Sequence, residues 1–228
     1  MCLCQVEQRI GKGFADETAM LQKASYLARL GSGSACRSVY PVAAVWGTHP
    51  DISASSNDYA IPYAEKLDPI FQSYKNDILI VSRKEKSVSS TQGHALMENN
   101  VYASSRYAQA EERMTRLLAA MKAGDLEVFG EIVEGEALSL HAMMMAAENP
   151  FILLRPNTLA AISLIQDFRR ETQVPLYFSL DAGPNPHLLY PAQYVSKVKA
   201  FISSDLQPLC QEGMVIADGV GQGPKLLS

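Results

Sequence analysis

Nowhere does this chain hold an apolar run approaching the roughly 20 residues that span a bilayer, so a membrane-crossing helix is not expected. Basic residues are also in short supply. With 20 Lys and Arg against 24 Asp and Glu, the formal net charge is −4, which argues against a nucleic-acid partner. The only basic cluster, Arg83-Lys84-Glu85-Lys86, reads as a solvated strand end, so recognition of an anion would have to be local to single loops. The four cysteines, Cys2, Cys4, Cys36 and Cys210, show neither zinc nor disulfide-framework spacing, as suits a reducing cytoplasm, and Cys2 and Cys4 point to different sides of a helix. Secretory character is missing as well, because the residues after Met1 turn polar within five positions. The pairs Gly11/Gly13, Gly31/Gly33 and Gly221/Gly223 are too short for a dinucleotide fingerprint, no P-loop is present, and Gly33-Ser34-Ala35 lacks the setting of a nucleophile elbow.

What the chain does hold is an ordinary globular composition, 47% hydrophobic and 19% charged over 228 residues, enough for one large or two modest domains. Residues 2–10 read as a helix that stops at Gly11-Lys12-Gly13. A second starts after Asp16 as its cap, places Met20, Ala24, Leu27 and Ala28 on one face, and closes at Gly31. Val42–Trp46 are apolar enough for a buried strand, while residues 47–65, rich in Pro, Asp, Ser and Asn, predict a loop with no regular element. Asp77–Ser82 is expected as a central strand, with a domain boundary just before it, so that residues 1–73 and 74–228 form two parts.

Farther on, Ser89-Ser90-Thr91-Gln92 would cap a helix reaching about residue 98. Long helices are predicted over 103–122 and 125–147, the latter carrying a core stripe through Leu126, Phe129, Ile132, Val133, Ala137, Leu140, His141 and Met144. Met143-Met144-Met145 reads as packing rather than a soft-metal site. Thr158 is expected to cap a helix to Arg170, ahead of a strand over Val174–Asp181, a possible partner strand at Leu188–Tyr190, a helix over 193–202 and a last strand at Met214–Ala217. Strands and long helices interleave without βαβ repetition, which points to an α+β fold, a helical layer on a mostly antiparallel sheet.

Two stretches carry chemistry. Gly31-Ser32-Gly33-Ser34-Ala35-Cys36-Arg37-Ser38 gathers two glycines, three hydroxyls and one guanidinium in eight positions, so backbone N–H groups and O–H donors can crowd an anion. If a helical turn starts at Ser34, then Ser34 and Arg37 share a face at its positive end, which favours an oxyanion. The plainer alternative is a Ser/Gly connection whose Arg37 makes a surface ion pair. The second stretch is Asp181-Ala182-Gly183-Pro184-Asn185, a carboxylate at the end of an apolar run and before a Gly-Pro turn, where a general base could meet a bound substrate. Of the histidines, His49 precedes Pro50 in a loop, His94 lies on a helix opening and His141 belongs to the core stripe; His187 alone follows the aspartate closely enough to line a pocket.

Ser32-Gly33-Ser34-Ala35-Cys36-Arg37-Ser38, with Trp46 eight residues on, resembles the signature of the diphosphomevalonate decarboxylases in the GHMP kinase superfamily. Val88-Ser89-Ser90-Thr91-Gln92-Gly93 resembles the family's next loop and helix start, and Asp181-Ala182-Gly183-Pro184-Asn185 its catalytic aspartate motif, in the family's order. The resemblance implies a GHMP kinase-like two-domain α+β fold and ATP-dependent decarboxylation of mevalonate 5-diphosphate to isopentenyl diphosphate. It implies Asp181 as catalytic base, Arg37 on the departing carboxylate, and Ser32, Ser34 and Ser90 donating to substrate and phosphate oxygens, with Ser90 toward ATP. Magnesium would accompany the ATP, and a cytoplasmic homodimer is the implied assembly, with no nucleic acid and no membrane as partners.

The chain departs from the family at Pro41-Val42, where a glycine pair is usual, at Leu180, where Phe is usual, and at Pro186, where a small residue is usual. Met1 is expected to fall inside a helix that the family's phosphate loop opens, so the chain reads as N-terminally truncated with its activity impaired. The alternatives are a non-catalytic remnant or interaction domain of the same fold, or a related GHMP small-molecule kinase.

Overall fold

The computed structural model describes residues 1–11, 13–83 and 100–224. The chain divides into two compact units, Met1–Leu67 together with the residues from Val220 on, and Asp68–Gly219.

In the first unit, α1 (Cys2–Arg9) precedes α2 (Glu17–Gly31), whose first turn is capped by Asp16 Oδ1 accepting from the Ala19 amide at 2.8 Å. Cys4 and Ala24 are buried with Cys36, Val39, Tyr40 and Ala60 in a small core, while Cys2 faces solvent. The strand expected over residues 42–46 is shorter: β1 is Ala44–Trp46, and Trp46 is exposed. The cause lies at Val42, which takes φ = 61° inside a tight turn closed by the Ala43 amide on the Pro41 carbonyl at 2.8 Å. A β-branched residue in left-handed backbone costs about 1–2 kcal/mol, so the contacts around it must hold it there. One of them is the Val42 amide donating to the Gly221 carbonyl at 2.9 Å.

The expectation of no regular element across residues 47–65 is overturned. β2 (Ala60–Pro62) pairs antiparallel with β1, Val45 opposite Ile61, and a 3-10 turn follows at Ala64–Lys66. Three residues ending in proline give too short a pattern to be read as a strand from composition; pairing with β1 and the buried Ala60 define it instead.

The second unit is organised on β3 (Lys75–Leu79) and carries α3 (Ala103–Ala123), α4 (Leu126–Met145), α5 (Pro156–Thr172), β4 (Tyr177–Ser179), β5 (His187–Tyr190), α6 (Val195–Phe201) and β6 (Val215–Ile216). The strands form an antiparallel sheet in the order β4-β5-β3-β6, which makes β3 central as expected, although it starts two residues earlier and ends three residues earlier than the expected Asp77–Ser82. Lys75 and Asn76, polar and unpromising as strand residues, are drawn in by pairing with Tyr190 and Leu189. Gly124 in left-handed backbone ends α3, and Asp125 Oδ1 accepts from the Val128 amide at 3.0 Å to start α4.

The core of this unit joins Leu79, Phe178, Leu188 and Tyr190 of the sheet to Ala161 and Ile165 of α5 and Val198 of α6, all fully buried, each large side chain contributing about 1.5–3 kcal/mol of burial. Two buried carboxylates are compensated. Asp77 accepts from the Tyr190 hydroxyl and pairs with Lys199 Nζ at 2.9 Å, and Glu134 is held by both Arg169 guanidinium nitrogens at 2.7 and 3.0 Å. Burial pushes the Glu134 carboxyl above its ordinary value in spite of Arg169, which pulls it down. The run Val174–Asp181 narrows to a strand at Tyr177–Ser179, because Pro175 has no N–H to give a ladder; Val174 and Leu176 are buried all the same.

Candidate active site

The signature turn hangs on the end of α2. The Ser32 amide donates to the Ala28 carbonyl at 3.0 Å, and Gly33–Val39 then wind into a 3-10 helix. In a 3-10 helix residues three apart eclipse one another, so Ser34 and Arg37 stand on one edge, as the sequence spacing predicts. Buried Ser25 fixes the inner side: its hydroxyl donates to the Cys36 carbonyl at 2.9 Å and accepts from the Ala60 amide at 2.9 Å. Cys36 is an inert thiol, its pKa pushed up by burial. The outer side leaves Ser32, Ser34 and Arg37 exposed. Trp46 comes so close that a Cβ on Gly33 would sit 3.0 Å from its ring, and the indole N–H is tied to the Asn57 carbonyl at 2.9 Å.

The surface ion pair that would make Arg37 merely structural is not formed among the described residues, where the paired arginines are Arg29, Arg83, Arg106, Arg113, Arg169 and Arg170. An exposed guanidinium beside two hydroxyls can take a carboxylate or phosphate through two parallel N–H bonds.

The aspartate turn belongs to the second unit. Leu180, buried to 5% exposure, ends the apolar run behind β4, and Asp181 emerges exposed beside it. Its carbonyl accepts from the Gly183 amide at 2.7 Å and lies 3.1 Å from His141 Nε2. Farther round, the Pro184 carbonyl accepts from the Thr158 hydroxyl at 2.6 Å, and the Asn185 side chain bridges the Ser82 amide and carbonyl at 3.0 and 3.1 Å. Thr158 is thus not the helix cap expected of it. It is the third residue of α5, accepts from the Arg155 amide at 3.2 Å and spends its proton on the turn.

Ser32, Ser34 and Arg37 therefore share one rigid turn, and Asp181 stands on another, separately anchored. Ser90, His94 and the helix expected to about residue 98 lie outside the described residues. His187 is paired across the sheet with Ser179, its Nδ1 3.1 Å from Asn76 Oδ1. Sequence reasoning assigned His141 to the core, where it is, and missed its bond to Asp181; forty residues of separation leave no local signal for it. The cavity of about 680 Å³ beside Glu134, Arg169 and Tyr177 is lined by no residue of the aspartate turn. No three His, Cys, Asp or Glu side chains among the described residues are grouped to hold a metal ion. No helix among them is long and apolar enough to cross a membrane.

Residues 77–226 match the family model described as mevalonate 5-diphosphate decarboxylase C-terminal domain. Among curated proteins, the chain is 30% identical to diphosphomevalonate decarboxylase mvd1 of Aspergillus fumigatus, over 81% of this chain and 46% of that protein. Among solved structures, it resembles mevalonate diphosphate decarboxylase from Staphylococcus aureus, with a TM-score of 0.76 at 25% identity over 90% of this chain and 61% of that one. It also resembles MDDEF in complex with MVAPP, AMPPCP and magnesium, with a TM-score of 0.73 at 27% identity over 90% of this chain and 62% of that one. The chain spans about half the length of the curated relatives it matches.

Proposed function

The chain belongs to the mevalonate 5-diphosphate decarboxylase family, and from that membership we propose that it serves ATP-dependent decarboxylation of mevalonate 5-diphosphate to isopentenyl diphosphate. The unit of Met1–Leu67 with the residues from Val220 on would supply the anion-binding turn and Asp68–Gly219 the base. The carrying observation is the aspartate turn: a solvent-facing carboxylate at the end of a buried strand, on backbone fixed by His141, Thr158 and Asn185.

The substrate carries a tertiary hydroxyl, a carboxylate and a diphosphate. An unactivated hydroxyl is a poor nucleophile, so Asp181 takes its proton or orients it for phosphorylation. The same negative charge then stabilises positive character at that carbon as phosphate departs. Arg37 grips the substrate carboxylate through paired N–H bonds, with Ser32 and Ser34 donating to neighbouring oxygens. ATP, with Ser90 as a donor to its phosphates, supplies the phosphoryl group that makes the hydroxyl a leaving group. Magnesium would accompany the ATP, held chiefly by its phosphates and neutralising their charge. A soluble cytoplasmic homodimer completes the proposal.

Asp181→Asn keeps the shape and hydrogen-bond reach of the side chain and removes its charge. Carbon dioxide release should fall by at least about a hundredfold, the scale of general-base catalysis, with KM nearly unchanged. Near-normal turnover would remove Asp181 from the mechanism.

A further inference from the structure

We infer that His141 is a positioning residue for this reaction, fixing through the Asp181 backbone the direction in which the carboxylate is presented. The inference rests on the assignment of Asp181 as the base. His141 sits near the end of α4 at 2% exposure, its Nε2 3.1 Å from the Asp181 carbonyl oxygen. A carbonyl oxygen can only accept, so Nε2 carries the proton and donates. Burial lowers the imidazole pKa, which keeps the ring neutral and its Nδ1 bare.

The peptide plane is stiff, so holding this oxygen orients the whole link between residues 181 and 182. On one side of Asp181 stands buried Leu180; on the other, half-buried Ala182 packs against the cluster formed by Ala103, Met143, Met144 and Leu153. The Asp181 backbone is thus held on both flanks, and the end of α4 contributes on one of them through His141 and through the cluster to which Met143 and Met144 belong. Thr158 and Asn185 act farther along, at Pro184 and Ser82, and do not substitute for this contact. A histidine that only filled space would be replaceable by any apolar side chain of similar size. One that positions the base requires a donor at the Nε2 location.

The test compares His141→Leu, His141→Gln and His141→Asn in steady-state carbon dioxide release with mevalonate 5-diphosphate and Mg-ATP, using the natural protein that carries this chain, with Asp181→Asn alongside. Glutamine can place its amide N–H where Nε2 stands, whereas asparagine is one carbon too short to reach it. We expect kcat to drop at least about tenfold in His141→Leu and His141→Asn, with KM within about twofold and most of the rate recovered in His141→Gln, because a small misplacement of a catalytic group is costly. If the leucine variant fails to fold, the ratio of glutamine to asparagine turnover carries the comparison. Equal turnover of the three variants, or wild-type turnover in His141→Leu, overturns the inference while an inactive Asp181→Asn leaves the base assignment standing. A fully active Asp181→Asn overturns both. Ring ¹⁵N shifts give an independent check on the geometry: a protonated Nε2 supports it, and a proton on Nδ1 contradicts it.

Discussion

Helix α4 contains two glycines, Gly130 and Gly135, that helix propensity treats alike. Replacing either with alanine in a helix interior should gain about 0.8–1.0 kcal/mol. Their surroundings separate them. A Cβ on Gly130 would lie 2.0 Å from Tyr177 Cδ1 and Cε1, against an ordinary contact beginning at 3.4 Å, so the ring or the helix would have to move by 3.4 − 2.0 = 1.4 Å. Tyr177 cannot give way easily: it is buried, its strand is paired through Leu189, and the Arg169 guanidinium sits 4.6 Å from its ring centre. Overpacking costs about 1–3 kcal/mol, and a clash this deep belongs at the upper end, leaving Gly130→Ala about 2 kcal/mol less stable after the propensity gain. At Gly135 the nearest atoms are Arg113 Nη2 and Cζ at 3.2 and 3.3 Å, the tip of a long side chain that needs to shift only a few tenths of an ångström. Gly135→Ala should therefore be stabilised by about 0.5 kcal/mol. Urea unfolding of both variants, read as midpoints at constant m, measures the difference. If Gly130→Ala equals or exceeds the wild type in stability, or the two variants shift alike, the close approach of α4 to β4 is wrong.

Arg37→Lys should lose about 1.5–3 kcal/mol of transition-state stabilisation, because a point charge cannot match a planar carboxylate through two parallel bonds. A lysine that leaves kcat/KM unchanged would make Arg37 a simple surface cation. For pH, the folded-state pKa of His141 lies below its ordinary 6.5, so below that value the unfolded chain binds the proton more readily than the folded one. Its contribution to stability is complete above about pH 6.5 and lost as pH falls toward the folded pKa; urea midpoints between about pH 7.5 and 5.5 should decline more steeply in wild type than in His141→Gln, and parallel declines would refute the coupling.

Local punctuation made the helices legible. Asp16 and Asp125 cap as their side chains suggest, and Gly124 stops α3 where the pattern breaks. Of the α4 stripe, Phe129, Ile132, Ala137, His141 and Met144 are buried while Leu126, Val133 and Leu140 are half-buried; its period of about 3.6 residues is visible in any single helix. Strand limits were less legible, since they depend on partners distant in sequence: β2 is set by β1, and the start of β3 by β5. The same limitation divided the candidate site. Ser34 and Arg37 share an edge by spacing alone, whereas the second role of Thr158, as donor to Pro184, and the bond from His141 to Asp181 exist only in three dimensions.

The unit that carries the signature turn is assembled from two distant stretches of chain, with residues from Val220 on returning to residues 1–67. Val42, five residues beyond Arg37, holds its costly backbone angle partly on the Gly221 carbonyl. On the ribosome this order has a consequence. At about 5–20 residues per second, synthesis of Asp68–Gly219 occupies roughly 8–30 s, during which the unit containing Arg37 waits without that strut. The uninterrupted unit bearing Asp181 can mature as it emerges, whereas the turn bearing Arg37 acquires its last support only when residues 220–224 arrive. A late nonsense or frameshift lesion near residue 220 would therefore injure the unit that carries Arg37, leaving the framework around Asp181 intact.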